Sequence, residues 1–334
     1  MKLVNKNQPL VSIGVPVFNG EKGLAVALDS LIAQDYTNLE IIISDNASTD
    51  ATSKICEEYV GKDSRIKYSR LKENIGSPMN FNQVFERSSG KYFMWAAHDD
   101  HREPLFVSAC VEKMESSLNA ALCHVQMAVL VEGEEGVLKV THLDSFKDFK
   151  GLTQRYKETL KNIRGTVMYS LFRSSVLRKT KLLRRSIASD MAFIQELSIY
   201  GEFVQVSEIL FSYKNREKWN TVDQDYFIFF GKKKKPWWYL PFVVLFLEHW
   251  GRVSDATVPI KTKLCLWCIL IEYEVVLVTR KVIIKLAGWL CPDRWKERLG
   301  CAIYWKWLST PYEKVGCESL FLKRAIKPAL GWWR

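Results

Sequence analysis

The basic C-terminal part of this 334-residue chain lacks an apolar run long enough for a transmembrane helix. After residue 230, the longest stretch without a charged residue covers residues 236–247, which is 12 residues, whereas a spanning helix needs about 20. Residues 1–9 also lack the hydrophobic core of a secretory signal. These absences predict a cytoplasmic protein whose contact with a membrane, if any, is peripheral.

Cysteine is sparse and scattered. The eight Cys residues stand at positions 56, 110, 123, 265, 268, 291, 301 and 317 and do not form a dense framework, so we expect reduced thiols. Cys265 and Cys268 have the spacing of a metal or redox pair, but they fall in an apolar helical run without a second ligand pair nearby. Packing is therefore the favoured interpretation of these two residues.

The positive charge is confined to one end of the chain. Residues 1–230 contain 29 Lys+Arg and 29 Asp+Glu, whereas residues 231–334 contain 19 Lys+Arg against 8 Asp+Glu and hold 10 of the 12 Trp. A region that is both basic and rich in Trp suggests an anionic membrane surface. An equally open interpretation is that the same segment forms helices that pack on the rest of the protein.

Strands and helices alternate through the first 115 residues. Apolar, β-branched runs predict strands, and helical spacing of Leu, Val and Phe predicts the helices between them. The predicted strands cover residues 11–18, 39–44, 66–70 and 92–97; the predicted helices begin near Leu24, at the cap Thr49 or Asp50, at the cap Ser77 before Pro78, and at Pro104. Such alternation indicates an α/β fold with a parallel sheet.

The second half of the chain is harder to divide. Residues 121–140 suggest strands with a turn at 132–136, residues 167–172 suggest another strand, and residues 203–214 a further one. A helix is predicted from Ser189 to Tyr200, where Gly201 follows as a stop signal. After Asp225 the composition changes. We therefore expect a domain over residues 1–225, with halves at about 10–120 and 121–225, and a helical region over 226–334.

Polar residues follow three of the predicted parallel strands. Asn19, the pair Asp45–Asn46 and the pair Asp99–Asp100 stand where strands end, and ligands of such sheets bind beyond the carboxyl ends of the strands. Two adjacent carboxylates repel each other unless a positive charge is near, and a divalent cation on a diphosphate supplies one. Nucleic acid would be repelled by these acids. A nicotinamide-dependent oxidoreductase is disfavoured because no Gly-x-Gly-x-x-Gly follows the first strand.

Four segments together resemble the family 2 glycosyltransferases of bacterial cell-surface polysaccharide synthesis. They are VSIGVPVFNGEKGLAVALDSLIAQDYTNLEIIISDNASTDAT (11–52), ENIGSPMNFNQVFERSSGKYFMWAAHDD (73–100), GTVMYSLFRSSVLRKTKLL (165–183) and ASDMAFIQELSIYGEFVQVSEILFSYKNR (188–216). The resemblance covers roughly residues 10–216. It implies a GT-A fold and inverting transfer of a sugar from a nucleotide-diphosphate donor, expected to be a UDP-sugar, to a hydroxyl of a glycan or lipid-linked acceptor.

The resemblance also implies which residues bind the donor. Asp45 would accept hydrogen bonds from the base, although an Asp at this position can also serve a turn or cap the next helix. Backbone near Pro16, Val17, Phe18 and Asn19 would frame the base and ribose. Asn74 and Gly76 would lie near the ribose or the sugar, with a plain loop turn as the alternative.

Asp99 would hold Mg²⁺ or Mn²⁺ against the two phosphates, by the same resemblance. Asp100 would be a second ligand or would orient the sugar, and His98 would position the loop rather than bind the metal. The chain departs from the commoner family pattern at Ala97, where an acid usually stands. This departure shifts metal binding onto Asp99 and leaves a catalytically inactive GT-A-fold binding protein as the alternative function.

Asp190 is the candidate general base for the acceptor hydroxyl, by its place in the family pattern. The alternative is that Asp190 only caps its helix, and the two roles are compatible. Arg216 and Lys218 would either close over the phosphates or lie in a solvated charged loop.

Overall fold

A computed structural model of the chain describes residues 8–130, 138–141, 151–162, 165–186, 189–214, 226, 228–230, 236 and 241–290. These residues form a nine-stranded sheet with helices on both of its faces. The strands are β1 Val11–Val17, β2 Leu39–Asp45, β3 Ile66–Arg70, β4 Tyr92–Trp95, β5 His101–Arg102, β6 Ala120–Leu130, β7 Leu138–Thr141, β8 Leu171–Arg173 and β9 Glu202–Lys214. The helices are α1 Leu24–Ile32, α2 Thr52–Lys62, α3 Ser77–Glu86, α4 Phe106–Glu115, α5 Leu152–Asn162, α6 Ser174–Leu177, α7 Ser189–Tyr200, α8 Pro241–Asp255 and α9 Ile260–Leu290.

The four strands predicted in the first half form one parallel block in the order β3-β2-β1-β4. Every residue of β1 and β2 is buried, as expected for parallel strands that carry helices on both faces. The α/β class and the alternation predicted from the sequence are confirmed.

The second half completes the sheet with mixed pairing. β8 pairs antiparallel with β4 and with β6, β9 runs parallel to β6, and the two-residue β5 pairs antiparallel with β9. β7 pairs antiparallel with β6, although the turn predicted between them at 132–136 lies outside the described residues. The sheet therefore continues from the first half of the domain into the second half.

Two local predictions are wrong. The strand predicted over 167–172 is a 3-10 turn, Gly165–Tyr169, followed by the three-residue β8; the turn lies against α7, and that contact is invisible in a local apolar run. Helix α3 is capped by Gly76, not by Ser77. Gly76 has φ +85° and ψ 154°, a region that is open essentially only to glycine.

Helices α8 and α9 pack on α5 and α7. Their shared core contains Tyr156, Ile199, Val253 and Leu266, and the buried Arg252 forms ion pairs with Glu196 of α7 and with Glu248. The interpretation as packed helices therefore holds for this part of the C-terminal region. The boundary expected near residue 226 adjoins residues 215–225, outside the described part.

Cys265 and Cys268 are exposed free thiols on α9, so the expected packing of these residues is wrong. They lie on the face of α9 that points away from α5 and α8. No helix in the described part of the chain combines the length and the apolarity needed to span a bilayer.

Candidate active site

The loops that follow β1, β2 and β4 meet at one edge of the sheet. Strand register pairs Val17 with Asp45 and Gly14 with Trp95, with all three strands parallel. The segment from the end of β4 through the first residue of β5, residues 96–101, is called the acid loop below because it carries Asp99 and Asp100. The sheet thus delivers the three polar strand ends predicted from the sequence to a common edge.

The loops after β1 and β2 are joined by hydrogen bonds between side chains and backbone. Asn19, which has φ 51°, accepts from the Thr49 N–H through Oδ1 at 2.8 Å and donates its own N–H to Ser48 Oγ at 2.9 Å. The Gly20 N–H donates to Thr52 Oγ1 at 2.8 Å. Pro16 and Val17 are buried in β1, and the Phe18 side chain that follows is 38% exposed, so Phe18 offers an apolar surface at the edge.

Asp45 lies wholly inside this network. Its carboxylate is 0% exposed; Oδ1 accepts from the Ser48 N–H at 2.8 Å and Oδ2 accepts from the Tyr68 hydroxyl at 3.1 Å. Arg70 Nε is 3.6 Å from Oδ2. Burial raises the pKa of Tyr68 above its usual value, and the Asp45 charge raises it further. Asp45 therefore shapes the loop after β2, and its contact with a base stays a prediction.

Asn46 connects the edge to the loop between β3 and α3. Its Oδ1 accepts from the Ile75 N–H at 2.9 Å, and its Nδ2 donates to Asn74 Oδ1 at 2.9 Å. Asn74 Oδ1 also accepts from the Gly76 N–H at 2.8 Å. A methyl group on Gly76 would meet the Phe229 carbonyl oxygen at 3.1 Å, so the backbone at Phe229 also approaches this loop. Asn74 and Gly76 are thus brought to the edge that holds Asn19 and Asp45.

The acid loop packs directly on the loop after β1. The His98 ring lies against Gly20, because a methyl group there would be 2.9 Å from His98 Cδ2. A methyl group on Gly23 would be 3.1 Å from Cα and Cβ of Asp99. Asp99 is exposed, whereas Asp100 is only 7% exposed. The two adjacent acids therefore have different surroundings, and His98 is placed to position the loop.

Asp190 stands in the first turn of α7 and faces the turn that precedes β8. Its Oδ2 lies 2.6 Å from where a methyl group on Gly165 would be. Ser189, the residue before it, accepts through Oγ from the Arg184 N–H at 2.8 Å. The absence of a side chain at Gly165 gives the Asp190 carboxylate its room.

Tyr169 connects the acids of the two halves. It ends the turn that faces Asp190, and its ring centroid lies 6.0 Å from that of Phe211. Burial raises the pKa of Tyr169 above its ordinary value of 10.0, and the negative charges of Asp100, Asp99 and Asp190 raise it further. Arg102, which follows the acid loop, lies over the same Phe211 ring at 4.9 Å, so the turn that faces Asp190 and the end of the acid loop both pack on Phe211.

The residues present suit a magnesium or manganese ion that a substrate helps to hold. Asp99 and Asp100 supply hard carboxylate oxygens, and the described residues contain no cluster of three or more His, Cys, Asp or Glu that could hold a metal by itself. Such ions are commonly bound through one or two carboxylates, with phosphate oxygens and water completing the shell.

Reasoning from the sequence missed two residues near this site, Tyr169 and Arg102. Tyr169 belongs to a segment interpreted as a strand, and Arg102, directly after the acid loop, is 1% exposed. The only signal for Arg102 was its position two residues after the acid pair. Asn46 was expected only as a polar residue at a strand end; it fixes Asn74 and is 2% exposed. Arg216 and Lys218 lie outside the described residues.

The chain is similar in sequence to known glycosyltransferases. The family model described as "Glycosyl transferase family 2" matches residues 12–181. A relative from Rickettsia typhi, described as an uncharacterized glycosyltransferase, is 30% identical over 215 residues, which is 63% of this chain and 63% of the relative. The chain thus spans less than two thirds of the length of that relative.

Solved structures share the fold. TarS from S. aureus, residues 1–349 in complex with UDP-GlcNAc, gives a TM-score of 0.56 at 19% identity, covering 79% of this chain and 71% of that 1–349 chain. A mannosyltransferase from Pyrobaculum calidifontis, in complex with GDP-Man and Mn²⁺, gives a TM-score of 0.58 at 13% identity, covering 96% of this chain and 87% of the other. The expected GT-A fold is confirmed.

Proposed function

Because the chain belongs to glycosyl transferase family 2, we propose that it moves a sugar from a nucleoside-diphosphate donor to an acceptor hydroxyl. The observation that carries the proposal is that one turn, Gly165–Tyr169, links the candidate acids: Asp190 lies against Gly165, and Tyr169 packs on Phe211, which also contacts Arg102 directly after the acid loop. Asp99 and Asp100 come from the first half of the sheet and Asp190 from the second half. A transfer between two substrates needs side chains that act on the donor and side chains that act on the acceptor.

The donor is placed along the edge formed by the loops after β1, β2 and β3. Residues Pro16 to Asn19 would frame the base and ribose, with the exposed Phe18 as an apolar contact. Asn74 and Gly76 would lie at the ribose or the sugar, held there by Asn46. A UDP-sugar is the proposed donor, and the UDP-GlcNAc complex of TarS supports that choice.

Asp99 would present its exposed carboxylate to Mg²⁺ or Mn²⁺ at the diphosphate. The metal, when bound, neutralises the negative charge that develops on the leaving diphosphate. His98 keeps the acid loop packed on Gly20, so the Asp99 carboxylate is held at the edge before substrate arrives.

Asp190 would act as general base. Its carboxylate takes the proton of the acceptor hydroxyl as that oxygen bonds to the anomeric carbon, while the bond from that carbon to the diphosphate oxygen breaks. A single displacement inverts the anomeric configuration.

A donor screen with the full chain tests this function. Thermal shift with UDP, GDP and their sugars in the presence of Mn²⁺ identifies the base, and hydrolysis or transfer of the stabilising donor is then followed by NMR of the anomeric proton. We expect stabilisation by uridine nucleotides and an inverted product. If none of the nucleotides raises the melting temperature, the proposal is refuted.

The alternative function is that of a catalytically inactive GT-A-fold binding protein, because Ala97 stands where the family usually has an acid. Such a protein would be stabilised by a nucleotide sugar but would neither hydrolyse it nor transfer its sugar with any acceptor extract. Turnover that is lost in Asp190→Asn, with nucleotide binding retained, would decide for the enzyme.

We also propose that α9 attaches the protein to the inner face of the plasma membrane, where a lipid-linked acceptor for cell-surface polysaccharide would lie. Ile260, Leu264, Ile271 and Val275 recur at helical spacing and are 62%, 53%, 45% and 58% exposed, and Cys268 is exposed between them. Such an apolar stripe, within a region of basic composition, is typical of interfacial helices.

Flotation with phosphatidylglycerol vesicles at low salt tests the attachment. We expect the full chain to float, and Leu264→Asp to reduce floating severalfold. Leu118→Asp is the matched control, since Leu118 is 80% exposed on the loop after α4 and its loss should change nothing. A wild-type chain that does not float would contradict the attachment.

A further inference from the structure

The chain between α6 and α7 is held by side chains from α3, α7 and α8. Residues 181–184 of this connection, called the bridging segment below, have no regular secondary structure. Leu182 has φ 51°, a backbone conformation that a side chain of this size rarely adopts unless its surroundings enforce it. Arg252 of α8 donates through Nη2 to the Leu182 carbonyl oxygen at 2.8 Å. The bridging segment is therefore held by its contacts and not by its own backbone preference.

Asn82 of α3 holds the bridging segment through two hydrogen bonds to one residue. Its Nδ2 donates to the Leu183 carbonyl oxygen at 2.8 Å, and its Oδ1 accepts from the Leu183 N–H at 3.1 Å. The side-chain amide thus uses both a donor and its acceptor on one peptide unit of the second half of the sheet. Helix α3 starts directly after Gly76 and packs on β1 and β2. The helix that follows the loop of Asn74 and Gly76 is therefore joined to the bridging segment.

The other side of the bridging segment is tied to α7. The Arg184 N–H donates to Ser189 Oγ at 2.8 Å, and the buried Ser189 directly precedes Asp190 in the first turn of that helix. The Lys181 N–H donates to Glu196 Oε1 at 3.2 Å, further along the same helix. The bridging segment therefore fixes the start of α7, where Asp190 stands, relative to α3.

We propose that Asn82 is a positioning residue for Asp190, acting through Leu183 and the bridging segment. This inference rests on the proposed function, because it takes Asp190 as the base. A general base must lie within hydrogen-bond reach of the proton that it removes. Since α3 begins at the loop that would hold the ribose or the sugar, the two hydrogen bonds of Asn82 set the distance between the donor edge and the base.

Transfer kinetics with the identified donor and acceptor test this positioning. Asn82→Ala removes both hydrogen bonds, and a catalytic group misplaced by about 1 Å can cost roughly 100-fold in rate, so we expect kcat to fall about 10- to 100-fold. The KM for the donor should stay within about twofold of wild type, because the donor edge keeps its own contacts. In the Asp190→Asn background, Asn82→Ala should cause no further loss, because the group that it positions is no longer a base.

Asn82→Asp adds a pH-dependent measurement. A carboxylate offers only acceptors, whereas a protonated carboxyl offers the donor and acceptor pair of the amide. The Leu183 carbonyl oxygen beside it favours the protonated form. We therefore expect kcat of Asn82→Asp, divided by the wild-type kcat at the same pH, to rise severalfold from about pH 8 to about pH 5. The same ratio for Asn82→Ala should not change with pH.

Asn38→Ala is the matched control. Asn38 Nδ2 donates to the Gln8 carbonyl oxygen at 2.8 Å, at the end of β2 opposite to Asp45, so this variant loses a similar hydrogen bond but should keep wild-type kcat. Equal kcat values in Asn82→Ala and Asn38→Ala would overturn the positioning, as would losses that multiply in the Asp190→Asn background.

Two further outcomes separate this inference from the proposed function. If Asn82→Ala does not fold, the pH profile of Asn82→Asp decides, and a kcat ratio that stays constant with pH would overturn the positioning. If wild type transfers no sugar, or if Asp190→Asn keeps wild-type kcat, the proposed role of Asp190 fails and its positioning by Asn82 fails with it. Loss of activity in Asp190→Asn alone, with Asn82→Ala fully active, would refute only the positioning.

Discussion

Substituting Gly165 with alanine should displace the Asp190 carboxylate without changing Asp190 itself. The new methyl group would lie 2.6 Å from Asp190 Oδ2, and ordinary contact begins at about 3.4 Å. The carboxylate must therefore retreat by about 0.8 Å, and it can do so because it is the end of a rotatable side chain. The backbone has no reason to move.

The effect should appear in turnover and not in stability. A misplacement of about 1 Å in a catalytic group can cost roughly 100-fold in rate, so we expect kcat with the identified donor and acceptor to fall about 10- to 100-fold. The melting temperature should stay within about 2 °C of wild type, and the affinity for UDP with Mn²⁺ should not change, since the donor edge is untouched.

Gly61→Ala is the matched control, because nothing lies within 4 Å of a methyl group there. Gly61 is in helix α2, where alanine is favoured over glycine by up to about 1 kcal/mol, so this variant should be fully active and slightly more stable. Wild-type kcat in Gly165→Ala would refute the assignment of Asp190 as base. A large loss of stability in Gly165→Ala would refute the local account of the clash.

Three further substitutions test the framework of the site. Burial alone would raise the pKa of Glu40, but hydrogen bonds from Lys67, Ser12 and Ser89 lower it from 4.5 to about 2. The ionised Glu40 therefore stabilises the fold above pH 4.5, and this stabilisation is lost as the pH falls toward 2. Glu40→Gln should therefore destabilise by roughly 2 kcal/mol at pH 7 in urea unfolding, less near pH 3. Gly76→Ala forces a Cβ into a glycine-only conformation and should cost about 1–3 kcal/mol while weakening UDP binding by calorimetry. Arg252→Met leaves Glu196 buried without its cation and should cost about 3–5 kcal/mol in urea unfolding.

Each of these has an outcome that would contradict it. If Glu40→Gln lowers the free energy of unfolding equally at pH 3 and pH 7, the charge of Glu40 is not what stabilises the fold. Full stability of Gly76→Ala would mean that the backbone at this cap relaxes freely. A neutral Arg252→Met would mean that α8 contributes little to holding α7.

The parallel block of the sheet could be predicted because its signal is local. The apolar runs of β1 and β2 are buried along their whole length. The helical spacing of apolar residues between them predicts a connecting helix, and two strands joined by a helix pair in parallel. Strand ends then bring Asn19, Asp45 and the acid loop to one edge by geometry alone. Asp190 was found through the family pattern and the helix start at Ser189.

The remaining features depend on contacts between distant residues. The Gly165–Tyr169 segment has the composition of a strand but forms a 3-10 turn that contacts α7 and β4. Nothing local in the sequence indicates that Arg102 is buried, but Phe106 and Phe211 lie against its guanidinium. Asn46 and Asn74 are 28 residues apart and meet through a side-chain hydrogen bond. None of these contacts has a local signature.

Calorimetric titration of UDP into wild type and Asp99→Asn, each with and without Mn²⁺, tests the central claim most directly. We expect wild type to bind UDP at least tenfold more tightly with Mn²⁺ than without it, and Asp99→Asn to lose that gain while keeping the metal-free affinity. UDP binding that is equal in both proteins and indifferent to Mn²⁺ would contradict a donor site built around Asp99.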